Sequence, residues 1–401
     1  MNKKRKLLLI FVSILLIIFA SSFLSNFLQN KEQVTIDKEE YERLKKFEEM
    51  FSIYDTLQKR YYIEPDYAKM EEGAIRGLLS GLDDPYSLYY NPEEFAKYWA
   101  DDEGEYAGIG VQIQSKYDEN ICVITRVFKN SPSEEVGLLK GDILVKAGDI
   151  EVNPTTLQSA VDYIRGEIGT KVKITVQRGE EELSFDVERR KIHINLVETK
   201  MLEGNIGLIQ LYEFAGTAGK EFKEAYENFV KEGMKGLILD LRDNPGGWVN
   251  NAQGIADLFI DNDVLCYFEY RDGSREYIRT NPGKTTIPMV VLINGNSASA
   301  SELLSGAFRD YGLAEIVGTT SFGKGIAQEV VSVGSRGAGF QYTVAQYFTP
   351  KGGKVHNEGI TPDHIVELTE EQENKKYELG DLSDPQLAKA VEVMQKKLGK
   401  E

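Results

Sequence analysis

The feature that most restricts the fold of this chain is a regular alternation of short apolar runs and longer amphipathic stretches between residues 192 and 368. Residues 206–211 and 236–241 have the length and apolar content of buried strands, whereas residues 218–231 and 249–259 have helical periodicity. Alternating strands and helices are typical of α/β domains, in which helices connect parallel strands. The sequence therefore predicts an α/β core with a mixed, partly parallel sheet.

Residues 104–190 have a different character, with short β-rich runs separated by turns. The predicted strands are 109–114, 121–127, 142–145, 171–177 and 183–187, and the predicted helix is 156–165. This order resembles a PDZ domain, in which a glycine-rich loop presents backbone N–H groups to a peptide's terminal carboxylate and the next strand accepts the peptide as an added strand. The residues of that loop are Gly108, Ile109, Gly110 and Val111.

The N terminus carries a basic cluster, residues 3–6, followed by an apolar stretch, residues 7–24, that only three serines interrupt. As a helix this stretch would be about 27 Å long, close to the thickness of a bilayer's hydrocarbon core. The basic flank predicts a cytoplasmic N terminus and an extracytoplasmic remainder. We therefore expect a single-pass anchor in the cell membrane within residues 1–30. The alternative is a cleaved signal peptide, which would yield a secreted form.

Residues 31–103 are predicted to be mainly helical. An amphipathic pattern over residues 37–62 places apolar side chains at three- and four-residue steps. These side chains are Leu44, Phe47, Phe51, Tyr54 and Tyr61. The pattern suits either packing on the next domain or a dimerising arm. A second helix is expected over residues 67–79, and the charged tail, residues 370–401, is also helical in pattern and is expected to pack on the core or on a partner.

Composition excludes several classes of function. The 401 residues include 47 Lys and Arg against 64 Asp and Glu, and the net charge of −17 has the wrong sign for general nucleic-acid binding. Two isolated cysteines, Cys122 and Cys266, cannot form a disulfide framework. The three histidines, His193, His356 and His364, form no cluster with metal-ligand spacing. We therefore expect no metal and no other cofactor.

Three serines, at 297, 299 and 301, alternate with alanines between a predicted strand, 288–294, and a predicted helix, 303–311. Such a turn holds a serine hydroxyl at the edge of a sheet, where the N–H groups of the helix N terminus face a developing negative charge. The alternative is that Ser299 and Glu302 form a Ser-x-x-Glu capping box, which needs no catalytic role. The turn alone leaves both interpretations open.

Two further segments carry candidate chemistry. After the strand 236–241, Gly246 and Gly247 would let backbone amides approach a substrate carbonyl, although Pro-Gly-Gly also suits an ordinary turn. Residues 318–325 nearly spell a phosphate-binding loop, but Gly325 replaces the Ser or Thr that binds magnesium. A strand pattern also follows this segment in place of a helix, so we do not expect a nucleotide site.

Lys324 lies in the second of these segments. If the side chain is held on a glycine-flanked strand with apolar neighbours, burial lowers its pKa and lets the neutral amine accept a proton. The alternative is a solvated surface lysine, which is the commonest environment for this residue type.

The motifs occur in an order that resembles the carboxyl-terminal processing peptidases, also called tail-specific proteases. The segments that carry the resemblance are residues 81–87, 240–247, 297–302, 320–325 and 349–363, and they span nearly the whole chain. The resemblance implies an α/β peptidase core over residues 191–369 with the PDZ domain inserted before it. It also implies that a serine and a lysine act as a catalytic dyad.

By motif position the resemblance assigns the nucleophile to Ser299 and the general base to Lys324, with Gln328 orienting the lysine. It assigns the oxyanion donors to the backbone N–H groups of Gly246 or Gly247 and of Ala300. A histidine base is the alternative. His356 and His364 both lie in a predicted loop, however, and the resemblance gives them no role.

The resemblance also implies that the PDZ domain gates access and responds to the substrate's C terminus. Arg165, at the end of the predicted PDZ helix, is a candidate sensor of this binding, or else a charge that caps the helix. The expected partners are protein or peptide substrates bound by their C termini, a second copy of the chain in a homodimer, and the membrane. The alternative function is a non-catalytic PDZ scaffold, against which Ser299, Lys324 and the glycine turn argue.

Overall fold

The computed structural model describes residue 21 and residues 35–102, 105–116, 119–193, 196–283, 285–375 and 377–399. The chain divides into two compact units, Met1–Ala74 and Ile75–Glu401. The helices are α1 (Lys38–Lys45), α2 (Glu48–Arg60), α3 (Tyr67–Ser80), α4 (Pro92–Asp102), α5 (Pro132–Glu135), α6 (Leu157–Ile164), α7 (Ala218–Lys231), α8 (Val249–Ala256), α9 (Ala300–Asp310), α10 (Glu370–Asn374) and α11 (Pro385–Lys397).

The strands follow the same chain order. They are β1 (Leu88–Tyr90), β2 (Glu105–Gly108), β3 (Val111–Lys116), β4 (Ile121–Val127), β5 (Ile143–Ala147), β6 (Ile150–Glu151), β7 (Lys171–Arg178), β8 (Glu181–Glu188), β9 (Arg190–His193), β10 (Val197–Leu202), β11 (Ile206–Leu211), β12 (Gly236–Asp240), β13 (Val264–Tyr270), β14 (Arg275–Arg279), β15 (Met289–Ile293), β16 (Ala314–Gly318), β17 (Ile326–Val333), β18 (Ala338–Phe348) and β19 (His364–Ile365).

The first unit carries α1 and α2 in place of the single helix expected over residues 37–62, because the chain turns at Lys46 and Phe47. No residue of either helix is buried. Within the part of the chain that the structure describes, no helix has both the length and the apolar character needed to cross a bilayer. The expected anchor, residues 7–24, lies outside the described residues except for Ser21.

The β-rich domain has the predicted elements at nearly the predicted positions. Its sheet has the strand order β3-β4-β5-β7-β8, and β6 pairs with β5. Alternate side chains of these strands and the buried face of α6 form a separate apolar core that includes Ile124, Leu144, Ala160, Ile174 and Val187. The PDZ-like fold predicted for residues 104–190 is therefore confirmed. A two-stranded ribbon of β2 and β9 connects this domain to the rest of the chain.

The predicted α/β core is also confirmed, and its sheet is mixed. The strand order is β10-β11-β12-β15-β16-β19, in which every pair is parallel except the antiparallel pair β10–β11. Helices α7, α8 and α9 cover one face, where Leu239 and Val291 lie. Helix α11 covers the other face, where Ile238 and Val290 pack on Met394. Because both faces are covered, the strands are apolar along their whole length, and the C-terminal tail packs on the core.

A second, antiparallel sheet was not predicted. It has the strand order β1-β18-β13-β14, with β17 paired to β18. Strand β1, in the region assigned above to a helical N-terminal part, pairs Leu88–Tyr90 with 339–341 of β18. Strand β1 therefore belongs to a sheet whose other strands all come after the PDZ-like domain in the chain.

Candidate active site

The serine turn connects β15 to α9 at the C-terminal edge of the mixed sheet. The Ser297 hydroxyl donates to the Leu241 carbonyl at 2.8 Å, and the Ser301 hydroxyl donates to the Asn244 carbonyl at 3.0 Å. Both of these serines are fully buried, whereas Ser299 is half-buried. The two outer serines therefore fasten the turn to the neighbouring strand, and only Ser299 is in a position to meet a substrate.

Ser299 has an unusual backbone conformation, with φ 54° and ψ −115°. A non-glycine residue with positive φ costs on the order of 1–3 kcal/mol and is common where a nucleophile is held in a sharp turn. The helix begins at Ala300, three residues earlier than predicted, so Ser299 occupies the N-cap position. The Tyr347 hydroxyl donates to the Ser299 carbonyl at 2.9 Å, which helps to hold this conformation.

The glycine turn lies directly against the serine turn. Gly246 has φ +103°, and a Cβ there would lie 2.6 Å from both the Ala298 oxygen and the Ser299 Cβ. Gly247 has φ +130°, and a Cβ there would lie 2.6 Å from the Phe214 oxygen. Both positions therefore require glycine for two reasons, positive φ and close backbone approach.

The N–H groups of these residues differ in availability. The Gly246 N–H donates to the Asn244 side-chain oxygen at 2.9 Å, and the amide of fully buried Asn244 donates in turn to the Leu211 carbonyl. Among the described residues, no acceptor is found for the N–H of Gly247 or of Ala300. Of the two glycines left open by the sequence, Gly247 is therefore the one whose N–H is available to a further acceptor, and Gly246 shapes the turn.

Lys324 lies in the loop that follows β16, two residues before β17 begins, and not on a strand as expected. It is half-buried. The next residue, Gly325, lets this loop pack closely on residue 356, because a Cβ at position 325 would lie 2.2 Å from the His356 backbone nitrogen. Burial lowers the pKa of Lys324 below 10.5, and the charges of Asp84 and Glu302 offset this only in part. The solvated surface lysine considered above is therefore wrong.

A buried carboxylate joins the serine turn to the lysine loop. Glu302 Oε2 accepts the Ser299 N–H at 2.8 Å and the Lys324 N–H at 2.9 Å. Glu302 Oε1 accepts the Ser321 hydroxyl and the Gly323 N–H, each at 2.6 Å. Because both hydrogen bonds end on the same carboxylate oxygen, the backbone nitrogens of Ser299 and Lys324 lie within about 6 Å of each other.

Glu302 has no exposed surface, and burial raises its pKa even though four hydrogen bonds oppose this. All three backbone partners can only donate, so they favour the ionised carboxylate, which burial opposes. The sequence identified Glu302 only as part of a capping box. The glutamate does accept the N–H of the N-cap residue, as in a capping box, but the same side chain also binds the lysine loop.

In the part of the chain that the structure describes, the hydrogen-bond partner of the Gln328 side chain is Thr343. Gln328 lies at a bulge of β17, and its side-chain amide donates to the Thr343 hydroxyl at 3.2 Å. His364 was expected in a loop but lies in β19, where its ring binds Glu315 at 2.7 Å. His356 is in a loop, and its Nδ1 is buried with no partner among the described residues.

The backbone of the glycine-rich loop that precedes β3 is closely packed. Ile109 is buried. Gly110 has φ +85°, and a Cβ at this position would lie 2.3 Å from the Ser131 Cβ. Strand β3, which begins at Val111, pairs only with β4 among the described strands, so its other edge is open to an added strand. Arg165 is the C-cap residue of α6.

Known proteins resemble this chain along most of its length. Residues 205–366 match the model of peptidase family S41, residues 107–188 match the PDZ domain, and residues 17–94 match the activating protease CtpB N-terminal domain. Carboxy-terminal processing protease CtpA of Bacillus subtilis (strain 168) is 33% identical over 405 aligned positions, which cover 99% of this chain and 86% of the relative.

A second relative and a solved structure agree with this. A probable CtpA-like serine protease of Staphylococcus haemolyticus (strain JCSC1435) is 34% identical over 86% of this chain and 70% of the relative. The photosystem II D1 C-terminal processing protease aligns with a TM-score of 0.55 and 27% identity, over 79% of this chain and 86% of that protein.

Proposed function

Because this chain belongs to peptidase family S41, a family of serine peptidases, we propose that it recognises the C termini of protein substrates and cleaves them with Ser299 as nucleophile and Lys324 as general base. One observation carries the assignment of the dyad. The buried Glu302 carboxylate binds the backbone of both residues, and so fixes the nucleophile turn and the base loop in one rigid unit. A non-catalytic scaffold has no need of this arrangement.

The proposed reaction begins with neutral Lys324. Its Nζ accepts the proton of the Ser299 hydroxyl while Oγ forms a bond to the scissile carbonyl carbon. The tetrahedral intermediate collapses, the C–N bond breaks, and the leaving amine takes the proton from Lys324. Water then hydrolyses the acyl-enzyme with the lysine again acting as base. Because burial lowers the pKa of Lys324, a larger fraction of this side chain is neutral at a given pH than for an exposed lysine.

Negative charge on the carbonyl oxygen would be stabilised by two N–H groups, those of Gly247 and Ala300. The Ala300 N–H is the first of α9, where the helix dipole adds a partial positive charge. Donors already aimed at the developing charge commonly contribute the largest share of rate acceleration in acyl transfer.

The PDZ domain is proposed to select substrates by their terminal carboxylate. A peptide with a free C terminus is expected to have a kcat/KM at least about ten-fold higher than the same peptide amidated at its C terminus. Amidation removes the charge that the loop's N–H groups would bind. Steady-state cleavage of the two peptides measures the ratio, and equal rates would contradict recognition of the carboxylate.

A variant of the loop provides the control for this measurement. In Gly110→Val the added side chain would clash with Ser131, and valine disfavours the positive φ of this position, so the loop that is proposed to bind the carboxylate must distort. We expect this variant to cleave the free and the amidated peptide at similar rates. Arg165 as a sensor of bound peptide remains part of the same proposal, because it ends the helix that would flank the peptide.

The N-terminal part is proposed to anchor the enzyme in the cell membrane, with the catalytic part outside the cytoplasm, and to form a homodimer. Apolar side chains of α1, of α2 and of the turn between them support the proposed homodimer. Leu44, Phe47 and Phe51 are 41%, 39% and 46% exposed, although their spacing is that of a packing face. Sedimentation of the detergent-solubilised chain is expected to show a dimer that replacement of these three residues by Ser converts to a monomer. An alkaline wash that releases the full chain from membranes would contradict the anchor.

A further inference from the structure

The segment that precedes β1 lies next to the lysine of the active site. The Lys324 Nζ is 4.4 Å from the centroid of the Tyr86 ring. The backbone of Tyr86 is held in place, because the Gln341 side chain donates to the Tyr86 carbonyl at 3.0 Å and the adjoining β1 pairs with β18. An ammonium group at this distance from an aromatic face is attracted by the electron density of the ring.

Asp84 in the same segment adds a full negative charge. Its carboxylate accepts the Tyr86 N–H at 3.0 Å and the Ser87 hydroxyl at 2.6 Å. Burial raises the pKa of Asp84, but the hydrogen bonds of Ser87, Thr343 and Tyr86 and the charge of Lys324 outweigh it, so the pKa lies below 3.8. The Asp84 carboxylate is therefore ionised at neutral pH.

The same network reaches the glutamine that was expected to orient the lysine. The Thr343 N–H donates to the Ser87 hydroxyl oxygen at 3.3 Å, and the Thr343 hydroxyl accepts the Gln328 amide at 3.2 Å. Gln328 is thus connected to Asp84 through Thr343 and Ser87, on the side of the site where the ring of Tyr86 lies.

We propose that Tyr86 and Asp84 are positioning residues of the general base, which hold the ammonium group of Lys324 in the resting enzyme and so determine how readily it loses its proton. The inference rests on the proposed function, since it assigns these residues a part in the use of Lys324. Neither residue touches the substrate in this role. They act through the lysine alone.

The direction of the effect follows from the groups that face Lys324. These are the carboxylates of Asp84 and Glu302 and the ring of Tyr86. All three favour the charged lysine and oppose burial, which favours the neutral form. Removal of Asp84 or of the ring therefore lowers the pKa of Lys324 and increases the neutral fraction at any pH near it.

The test is the pH dependence of kcat/KM of the full chain, whose acidic limb reports deprotonation of the free enzyme's base. In Asp84→Asn and in Tyr86→Leu the acidic limb is expected to move to lower pH by about half a pH unit to one pH unit. The rate at a pH below the limb then rises about three- to ten-fold relative to each variant's own plateau.

Two matched variants accompany these. Tyr86→Phe keeps the aromatic face, and Asp83→Asn removes the neighbouring, exposed carboxylate, so both are expected to keep the acidic limb where the wild type has it. A second readout does not depend on turnover. NMR titration of [13Cε]-lysine-labelled Ser299→Ala protein, with the Lys324 signal assigned by its loss in Lys324→Arg, should show the same downward movement in the Asp84→Asn and Tyr86→Leu backgrounds.

The outcomes separate the two claims. An acidic limb and a Lys324 titration that stay in place in both Asp84→Asn and Tyr86→Leu overturn this inference and leave the dyad intact. If the assignment of Ser299 and Lys324 as the catalytic dyad were itself wrong, Ser299→Ala or Lys324→Ala would keep full activity. If Asp84→Asn fails to fold, as circular dichroism would show, Tyr86→Leu against Tyr86→Phe decides the matter alone.

Discussion

Replacement of Ser299 by Ala, or of Lys324 by Ala, is expected to lower kcat/KM for peptide cleavage by at least about 1000-fold. One change removes the nucleophile and the other removes the base that activates it, and neither group acts without the other. The free energy of unfolding should stay within about 1 kcal/mol of the wild type. Both side chains are half-buried, and neither hydroxyl nor amine is a principal support of the core. Cleavage assays with purified variants and denaturant unfolding measure the two quantities.

The neighbouring serines provide the control for this result. Ser297→Ala and Ser301→Ala remove buried hydroxyls that bond to the carbonyls of Leu241 and Asn244. We expect each to cost about 1 kcal/mol of stability while most of the activity remains. A fluorophosphonate probe should label the wild type and both control variants but not Ser299→Ala. Full activity of Ser299→Ala or Lys324→Ala would exclude the dyad, and the scaffold would return as the better explanation if the wild type shows neither labelling nor turnover.

Glu302→Gln is expected to lower kcat about 100-fold with a smaller change in KM. The carboxylate accepts from four donors, whereas an amide offers one oxygen and one NH2 group. At least one backbone N–H therefore faces another donor, at a cost of about 1–3 kcal/mol, and the serine turn and the lysine loop lose their common acceptor. Steady-state kinetics at a pH on the plateau measure the effect.

Glu315→Gln is the matched change at a distance from the site. Glu315 is a partly buried glutamate that binds His364 and Lys397 on β19 and α11. Its replacement should lower stability slightly and leave kcat nearly unchanged, because it contacts neither turn of the active site. If Glu302→Gln and Glu315→Gln both kept wild-type kcat, the role of Glu302 in joining serine and lysine would be wrong.

The parts of the fold that the sequence predicted are those whose signal is local. Strand β11 and helix α7 begin and end at the predicted residues, because a continuous apolar run and a helical period each reveal their own boundaries. The errors arise where the residue pattern carries no such signal. Helix α9 begins three residues early because Ser299 adopts a conformation that its residue type does not favour. Strand β1 was missed because three residues carry no periodic signal, and only pairing with β18 makes them a strand.

Contacts between residues far apart in the chain could not be predicted either, because they depend on tertiary packing and leave no local sequence pattern. Arg126 of the PDZ sheet is nearly buried against the core, with its guanidinium 3.4 Å from the centroid of the Tyr212 ring and 3.8 Å from Glu198. Arg242, next to the glycine turn, forms ion pairs with Asp240 and with Asp384, the N-cap residue of α11. Nothing in the spacing of these residues indicates that they meet.

By itself the sequence determined the kinds of domain, the family resemblance and the candidate pair Ser299 and Lys324, because these depend on residue types at short spacing. The tertiary structure decided what surrounds that pair. It joined the two loops through Glu302, gave Gly247 and Ala300 the available N–H groups, and brought Tyr86 and Asp84 to the lysine. These residues come from segments up to 240 positions apart in the chain, as Asp84 and Lys324 are. Only the packing of the two sheets specifies which of them share one volume, and that packing sets the burial and the charges that control the lysine's proton.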